Sequence, residues 1–255
     1  MAAARPKHND ATLLDAVTAH LRGHADLPIW GALALASGGP VLECGAGTGR
    51  VLGFLLEAGI DAYGIEHDES VLQIGQARLA SLNSDHPSRL LRGDMTDFSH
   101  ERRYRLILIP LNTVALLADH QLIAALDCIR DHLQPGCDLG LDLDLQVVAP
   151  KSSSPTEWTT EPQPVALGGG QAAQLHQTFR RVEEDRWEVT HHFDHEDGVV
   201  STVCLSLVVR SLPQLTELLG RAGWGVQSSI DEHGQEVSEK SRLAFVLARP
   251  HPPTD

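Results

Sequence analysis

The sequence predicts an α/β protein built on a doubly wound, mostly parallel sheet with helices on both faces. Three observations predict it. Apolar runs of strand length recur at 61–66, 89–93, 104–110 and 138–145. Amphipathic stretches at 48–58, 68–82 and 119–133 alternate with them, and strand–helix–strand repetition calls for parallel strands. Finally, the glycine-rich turn Gly45-Ala46-Gly47-Thr48-Gly49 joins the apolar Val41-Leu42-Glu43-Cys44 to the first of those helices.

Taken in order, residues 11–22 carry Leu13, Leu14, Val17 and Leu21 at helical spacing. Gly38-Gly39-Pro40 stops a second helical piece and launches Val41. In 119–133, Leu122, Leu126, Ile129 and Leu133 form one stripe, and Gln134-Pro135-Gly136 ends it sharply. Residues 150–171, rich in Pro, Ser, Thr and Gly, suit a surface loop. Residues 174–195 and 199–210 suit two long strands joined at Glu196-Asp197-Gly198, an antiparallel hairpin. The earlier rhythm returns with a helix from Leu212 to Ala222 and strands from Trp224 to Ile230 and Leu243 to Ala248. The expected division is a helical cap (1–30), a core (31–149), a loop and hairpin (150–210), a closing helix and strands (211–249) and a tail (250–255).

At 255 residues the chain buries a sizeable core without staples. Its formal net charge of −14 repels phosphate backbones and anionic lipids, which disfavours nucleic-acid and membrane-surface roles. Cys44, Cys128, Cys137 and Cys204 show no metal-ligand spacing and suit a reducing compartment. No apolar run suits a signal peptide or a membrane span, so the expected location is the cytoplasm.

The glycine turn departs from the dinucleotide pattern: its spacing is G-x-G-x-G, with Arg50 next and Glu43 before it. A carboxylate at the loop mouth suits a cationic ligand, such as an α-amino group, better than a pyrophosphate. The second strand ends at Glu66, an acid placed to accept ribose hydroxyls. The third ends in Gly93-Asp94-Met95, where a carboxylate and an apolar side chain fit an adenine. All three acids fall at carboxyl ends of strands, where open parallel sheets bind ligands. Taken singly, each has an ordinary reading as a connector or a helix cap.

From about Asp26 to Arg249 the chain resembles the class I S-adenosylmethionine-dependent methyltransferases, in particular their bacterial small-molecule branch. The resemblance implies a seven-stranded Rossmann-like sheet with an antiparallel hairpin over the substrate. It implies S-adenosyl-L-methionine as cofactor and S-adenosyl-L-homocysteine as product. Glu43, Gly45, Gly47 and Gly49 would hold the methionine part, Glu66 with the adjoining His67 the ribose, and Asp94 and Met95 the adenine. In Ile109-Pro110-Leu111-Asn112-Thr113, Pro110 and Leu111 would line the cofactor and Asn112 would face the substrate. Trp30 stands where relatives place an aromatic over the cofactor, with core packing as its other reading. Leu133-Gln134-Pro135-Gly136 matches the family's post-helix turn, and LTELLGRAGW (215–224) matches the branch. Departures fall in Leu141-Asp142-Leu143-Asp144-Leu145 and Asp231-Glu232-His233-Gly234, toward the substrate side.

The expected acceptor is a small metabolite or natural-product intermediate, methylated on N, O or C by a monomer or homodimer. The fourth-strand motif carries no N/D-P-P-Y/F and no Pro-Cys, and the paired-Glu hairpin of arginine methyltransferases is missing. His191 is the candidate general base and substrate-facing residue; His191 and His195 share one strand face and His192 takes the other. On a strand the outer two stand ~13 Å apart, too far for one metal ion. Two other readings compete. One is a methyltransferase fold that binds the cofactor without methylating, as a repurposed cyclase or partner protein. The other is an NAD(P) oxidoreductase, which fails on glycine spacing and the missing Tyr-x-x-x-Lys.

Overall fold

The computed structural model describes residues 10–145, 156–168 and 170–252. The chain divides into two compact units, 1–24 with 150–209 and 25–149 with 210–255.

The larger unit is a seven-stranded sheet in the order β11-β12-β5-β4-β1-β2-β3. Its strands are β1 (Val41–Cys44), β2 (Ala62–Glu66), β3 (Leu90–Arg92), β4 (Tyr104–Ile109), β5 (Leu133–Asp144), β11 (Trp224–Ile230) and β12 (Leu243–Pro250). β1 to β5 are parallel, while β12 runs antiparallel to both β5 and β11. Side chains alternate along the strands, and β4 divides its own between the two faces. Ile107 and Ile109 join Leu122, Leu126 and Ile129 of α5 (Asp119–His132) and Leu215, Leu218 and Leu219 of α6 (Leu212–Arg221). Leu106 and Leu108 join Trp30 and Ala34 of α2 (Leu27–Ser37), Val51, Leu52 and Leu55 of α3 (Arg50–Glu57), and Leu72 and Leu79 of α4 (Glu69–Leu82). Both faces are therefore covered, as the alternating pattern predicts. The strand order reverses direction between β1 and β4, so the carboxyl ends there open a crevice.

Residues 133–136 do not break the chain sharply. β5 already begins at Leu133, and the excess length is taken up where Tyr104 pairs with Leu133 but Leu106 with Asp138. Gly136, at φ 74°, allows that irregularity.

The smaller unit packs α1 (Asp10–Leu21) on an antiparallel sheet in the order β10-β9-β8-β6, with β7 also on β8. These strands are β6 (Glu157–Thr159), β7 (Gln163–Gly168), β8 (Gln171–Arg181), β9 (Arg186–His195) and β10 (Val200–Val208). Leu13, Ala16 and Val17 bury against Val165, Leu175, Phe193 and Val203. Two expectations are corrected. The stretch 174–195 is two strands rather than one, turning at 182–185, where Glu183-Glu184-Asp185 favours solvent. The supposed loop supplies β6 and β7, short strands in which Glu157, Thr159, Pro164 and Ala166 are exposed; its residues 150–155 and 169 lie outside the described ones. No described helix is long and apolar enough to cross a membrane.

Candidate active site

Parallel strands bring the acids of the sequence motifs to one edge of the large sheet. Glu43 lies in β1, paired with Gly64 of β2 and Leu108 of β4. Its carboxyl is 3% exposed, and burial pushes it up to about 8, against the opposing pull of the Arg50 charge. The Leu52 N–H donates to this carboxyl, but Oε2 is buried with no partner. Such an oxygen is costly unless a donor reaches it.

Beyond Glu43 the chain turns through Gly47 at φ 57°, a conformation that disfavours any side chain. A Cβ at Gly47 would meet nothing within 4 Å, so the loop leaves open space there. Glu66 ends β2 and holds the loop in place: Oε2 accepts from Gly47 N at 3.0 Å and Oε1 from Asp68 N at 2.9 Å. His67 Nδ1 lies 3.1 Å from Glu66 Oε1, but its ring is 76% exposed, so this pair contributes little. On the far side of the loop α4 comes very close. A Cβ on Gly75 would stand 2.9 Å from the Gly47 carbonyl oxygen, so glycine is required there.

Asp94 is exposed, and its Oδ1 accepts from Thr96 N at 2.8 Å and Thr96 Oγ1 at 2.7 Å. Those two bonds hold its carboxyl below the usual range. Met95 Cε lies 3.2 Å from where a Cβ on Gly45 would be. The third-strand motif and the glycine loop are thus in contact.

After β4, Pro110 leads into Leu111 at φ 62° and Asn112 at φ 55°, two successive left-handed residues that are not glycine. Thr113 Oγ1 bridges this turn by donating to Pro110 O at 2.5 Å, and Asp142 Oδ1 accepts from Asn112 N at 2.8 Å. Asn112 Oδ1 is buried and has no partner. Thr113 Cγ2 would stand 3.0 Å from a Cβ on Gly45, so this loop also borders the glycine loop.

Trp30 has no exposed surface. It lies edge-on to Phe245 at 5.2 Å, and its Nε1 donates to Asp26 Oδ2 at 3.0 Å. Burial on this scale supports its core-packing reading. Asp26 is itself buried and accepts two bonds from Arg50, at 2.6 and 2.8 Å. Burial alone would raise its carboxyl, but the Arg50 bonds and charge outweigh burial and lower it. That fork–fork pair anchors α2 to the first turn of α3, directly behind the glycine loop.

His191 lies in the smaller unit, 2% exposed, and burial pushes it down to about 4, helped by His192. Gln177 Nε2 donates to its Nδ1 at 3.0 Å, which leaves the ring proton on Nε2. A ring wired in this way offers a donor rather than a basic lone pair. Among the described residues no group of three or more His, Cys, Asp or Glu is placed to hold a metal ion.

Of the charged residues of this region, Arg210 was not singled out from the sequence, and Asp26, Arg50 and Asp142 were named only as parts of longer motifs. Their signal is a charge inside an otherwise apolar run, as in Leu141-Asp142-Leu143.

The sheet order and the glycine loop at its switch point define a class I methyltransferase fold. Residues 41–136, from β1 to the start of β5, match the family model described as a methyltransferase domain. No curated protein matches the chain in sequence. Among solved structures, the CcbJ methyltransferase from Streptomyces caelestis is 20% identical, with a TM-score of 0.77 over 96% of this chain and 100% of that one. CalS10, an amino pentose methyltransferase of calicheamicin biosynthesis from Micromonospora echinaspora, is 17% identical, with a TM-score of 0.69 over 96% and 100%. The glycopeptide N-methyltransferase MtfA, solved with S-adenosylmethionine, is 23% identical, with a TM-score of 0.60 over 90% and 94%.

Proposed function

We propose that this chain transfers the methyl group of S-adenosylmethionine to an amine nitrogen of a small molecule. The observation that carries the cofactor half is the unpartnered, buried Glu43 Oε2 beside the open space at Gly47. An ammonium group satisfies that oxygen, and the methionine part of the cofactor has one. Glu66, tied to Gly47 N, is the acceptor for ribose hydroxyls, and Asp94 with Met95 suits the adenine. When bound, S-adenosylmethionine supplies an electrophilic methyl group.

The amine half rests on Asn112 Oδ1, a buried acceptor without a donor. It suits an N–H of the acceptor molecule and would turn the nitrogen lone pair by orientation alone. A neutral amine needs no base, which agrees with the wiring of His191. The printed names of CalS10 and MtfA, an amino pentose and an N-methyltransferase, support the same choice.

The test is incubation with S-adenosylmethionine and a panel of amino sugars and aromatic amines, with products located by mass and NMR. A methyl group on nitrogen supports the proposal, and one found on oxygen or carbon overturns the amine half.

A further inference from the structure

Two buried charges grip the loop that follows β4 from opposite ends. Asp142, with no exposed surface, rises from β5 and accepts from Asn112 N at 2.8 Å. Arg210, 5% exposed, stands where the chain re-enters the large unit after the inserted sheet. Its guanidinium donates to Val114 O at 3.0 Å, to Leu117 O at 2.7 Å, and to Asp119 Oδ1 at 3.0 and 2.8 Å. Between these grips lie Asn112, in its left-handed conformation, and the short 3-10 turn Thr113–Leu116.

Left-handed backbone at two successive non-glycine residues is costly and persists only where the surroundings over-determine it. Neither grip is needed to build the sheet, because β4 and β5 are already paired from Leu106 to Ile109. What the grips fix is the loop that carries the unpartnered Asn112 oxygen and borders the glycine loop. We infer that Asp142 and Arg210 are a two-point clamp of positioning residues, which hold the Asn112–Leu117 loop in the shape that orients the methyl acceptor. The clamp rests on the proposed function for what it orients. Its hydrogen bonds, to Asn112, Val114, Leu117 and Asp119, act on the acceptor side.

The experiment uses the whole chain with Asp142→Ala, Asp142→Asn and Arg210→Lys. Amide hydrogen exchange is followed at Asn112 and Leu117, and affinity is measured with S-adenosylhomocysteine as the probe. Asp142→Ala and Arg210→Lys are expected to speed exchange in the loop about tenfold or more, since each weakens a hydrogen bond to a buried charge. Affinity for S-adenosylhomocysteine should stay within about threefold, because the clamp's hydrogen bonds go to Asn112, Val114, Leu117 and Asp119 rather than to Glu43 or Glu66. Asp142→Asn keeps an acceptor oxygen for Asn112 N and should return exchange to near the parent value. With the best amine of the panel, turnover should fall with exchange and be rescued in the same variant. Unchanged loop exchange in Asp142→Ala and Arg210→Lys overturns the clamp. So does a loss of probe affinity equal to the loss of turnover, the mark of general damage. Failure of the parent protein to bind the probe instead overturns the cofactor reading, while the exchange result still decides the clamp.

Discussion

Binding of S-adenosylmethionine near neutral pH is predicted to release a proton from Glu43. Burial holds this carboxyl at about 8, so at pH 7 roughly nine-tenths of it is protonated before the ligand binds. An ammonium group against Oε2 favours the ionised form and pulls the value down. If it falls well below 7, binding releases close to ~0.9 proton at pH 7 and far less at pH 9. The same raised carboxyl has a stability signature. The folded state holds a proton that the unfolded chain, at its ordinary value of 4.5, gives up, so stability falls as pH rises from 4.5 to about 8. The assay is calorimetric titration at pH 7 in buffers of different ionisation enthalpy, whose slope is the proton count. Glu43→Gln should bind with no such slope. A parent protein that releases less than about 0.2 proton at pH 7 refutes the assignment of Glu43 as the ammonium partner.

Other consequences follow from the same geometry. Gly47→Val places a side chain in open space, so it should destabilise the fold only by the cost of a left-handed residue, about 1–2 kcal/mol. It should nevertheless abolish cofactor binding, which denaturant melts and a titration together would separate. Asp26→Ala removes a carboxylate partner of buried Arg50 and should cost about 3 kcal/mol in urea unfolding. Because the Asp26 value is lowered, its contribution is present above the ordinary 3.8 and is lost as pH falls through the folded value; the variant should show a flatter acid limb. His191 is held down to about 4, so the unfolded chain binds its proton first. Stability should therefore drop as pH falls from 6.5 toward 4, by roughly 3 kcal/mol at most, and His191→Phe should remove that part of the slope.

Where one physical rule decided the outcome, the sequence was legible. Alternating runs and stripes located the strands and helices of the large sheet, except for the start of β5 at Leu133, because burial on both faces leaves a continuous apolar signature. The inserted sheet was only half legible. Val182-Glu183-Glu184-Asp185 carries no glycine or proline to mark a turn, so 174–195 looked like one strand, although 22 residues far exceed a usual strand. β6 and β7 sit among proline and glycine, and their exposed positions carry no periodic signal.

The same divide runs through the site. Glu43, Gly47, Glu66 and Met95 were visible because they lie in a contiguous motif or at a strand end. The hydrogen bonds of Asp142 and Arg210 were not, since their partners lie 30 and 91–96 residues away in the chain. Trp30 was visible as an aromatic near the site, but its pairing with Phe245 of β12, far along the chain, was not.

The most direct test of the account is equilibrium dialysis of the full chain with methyl-labelled S-adenosylmethionine, challenged by S-adenosylhomocysteine and by NAD. The account predicts one equivalent retained per chain, displaced by S-adenosylhomocysteine and untouched by NAD. No retention, or displacement by NAD, would contradict it.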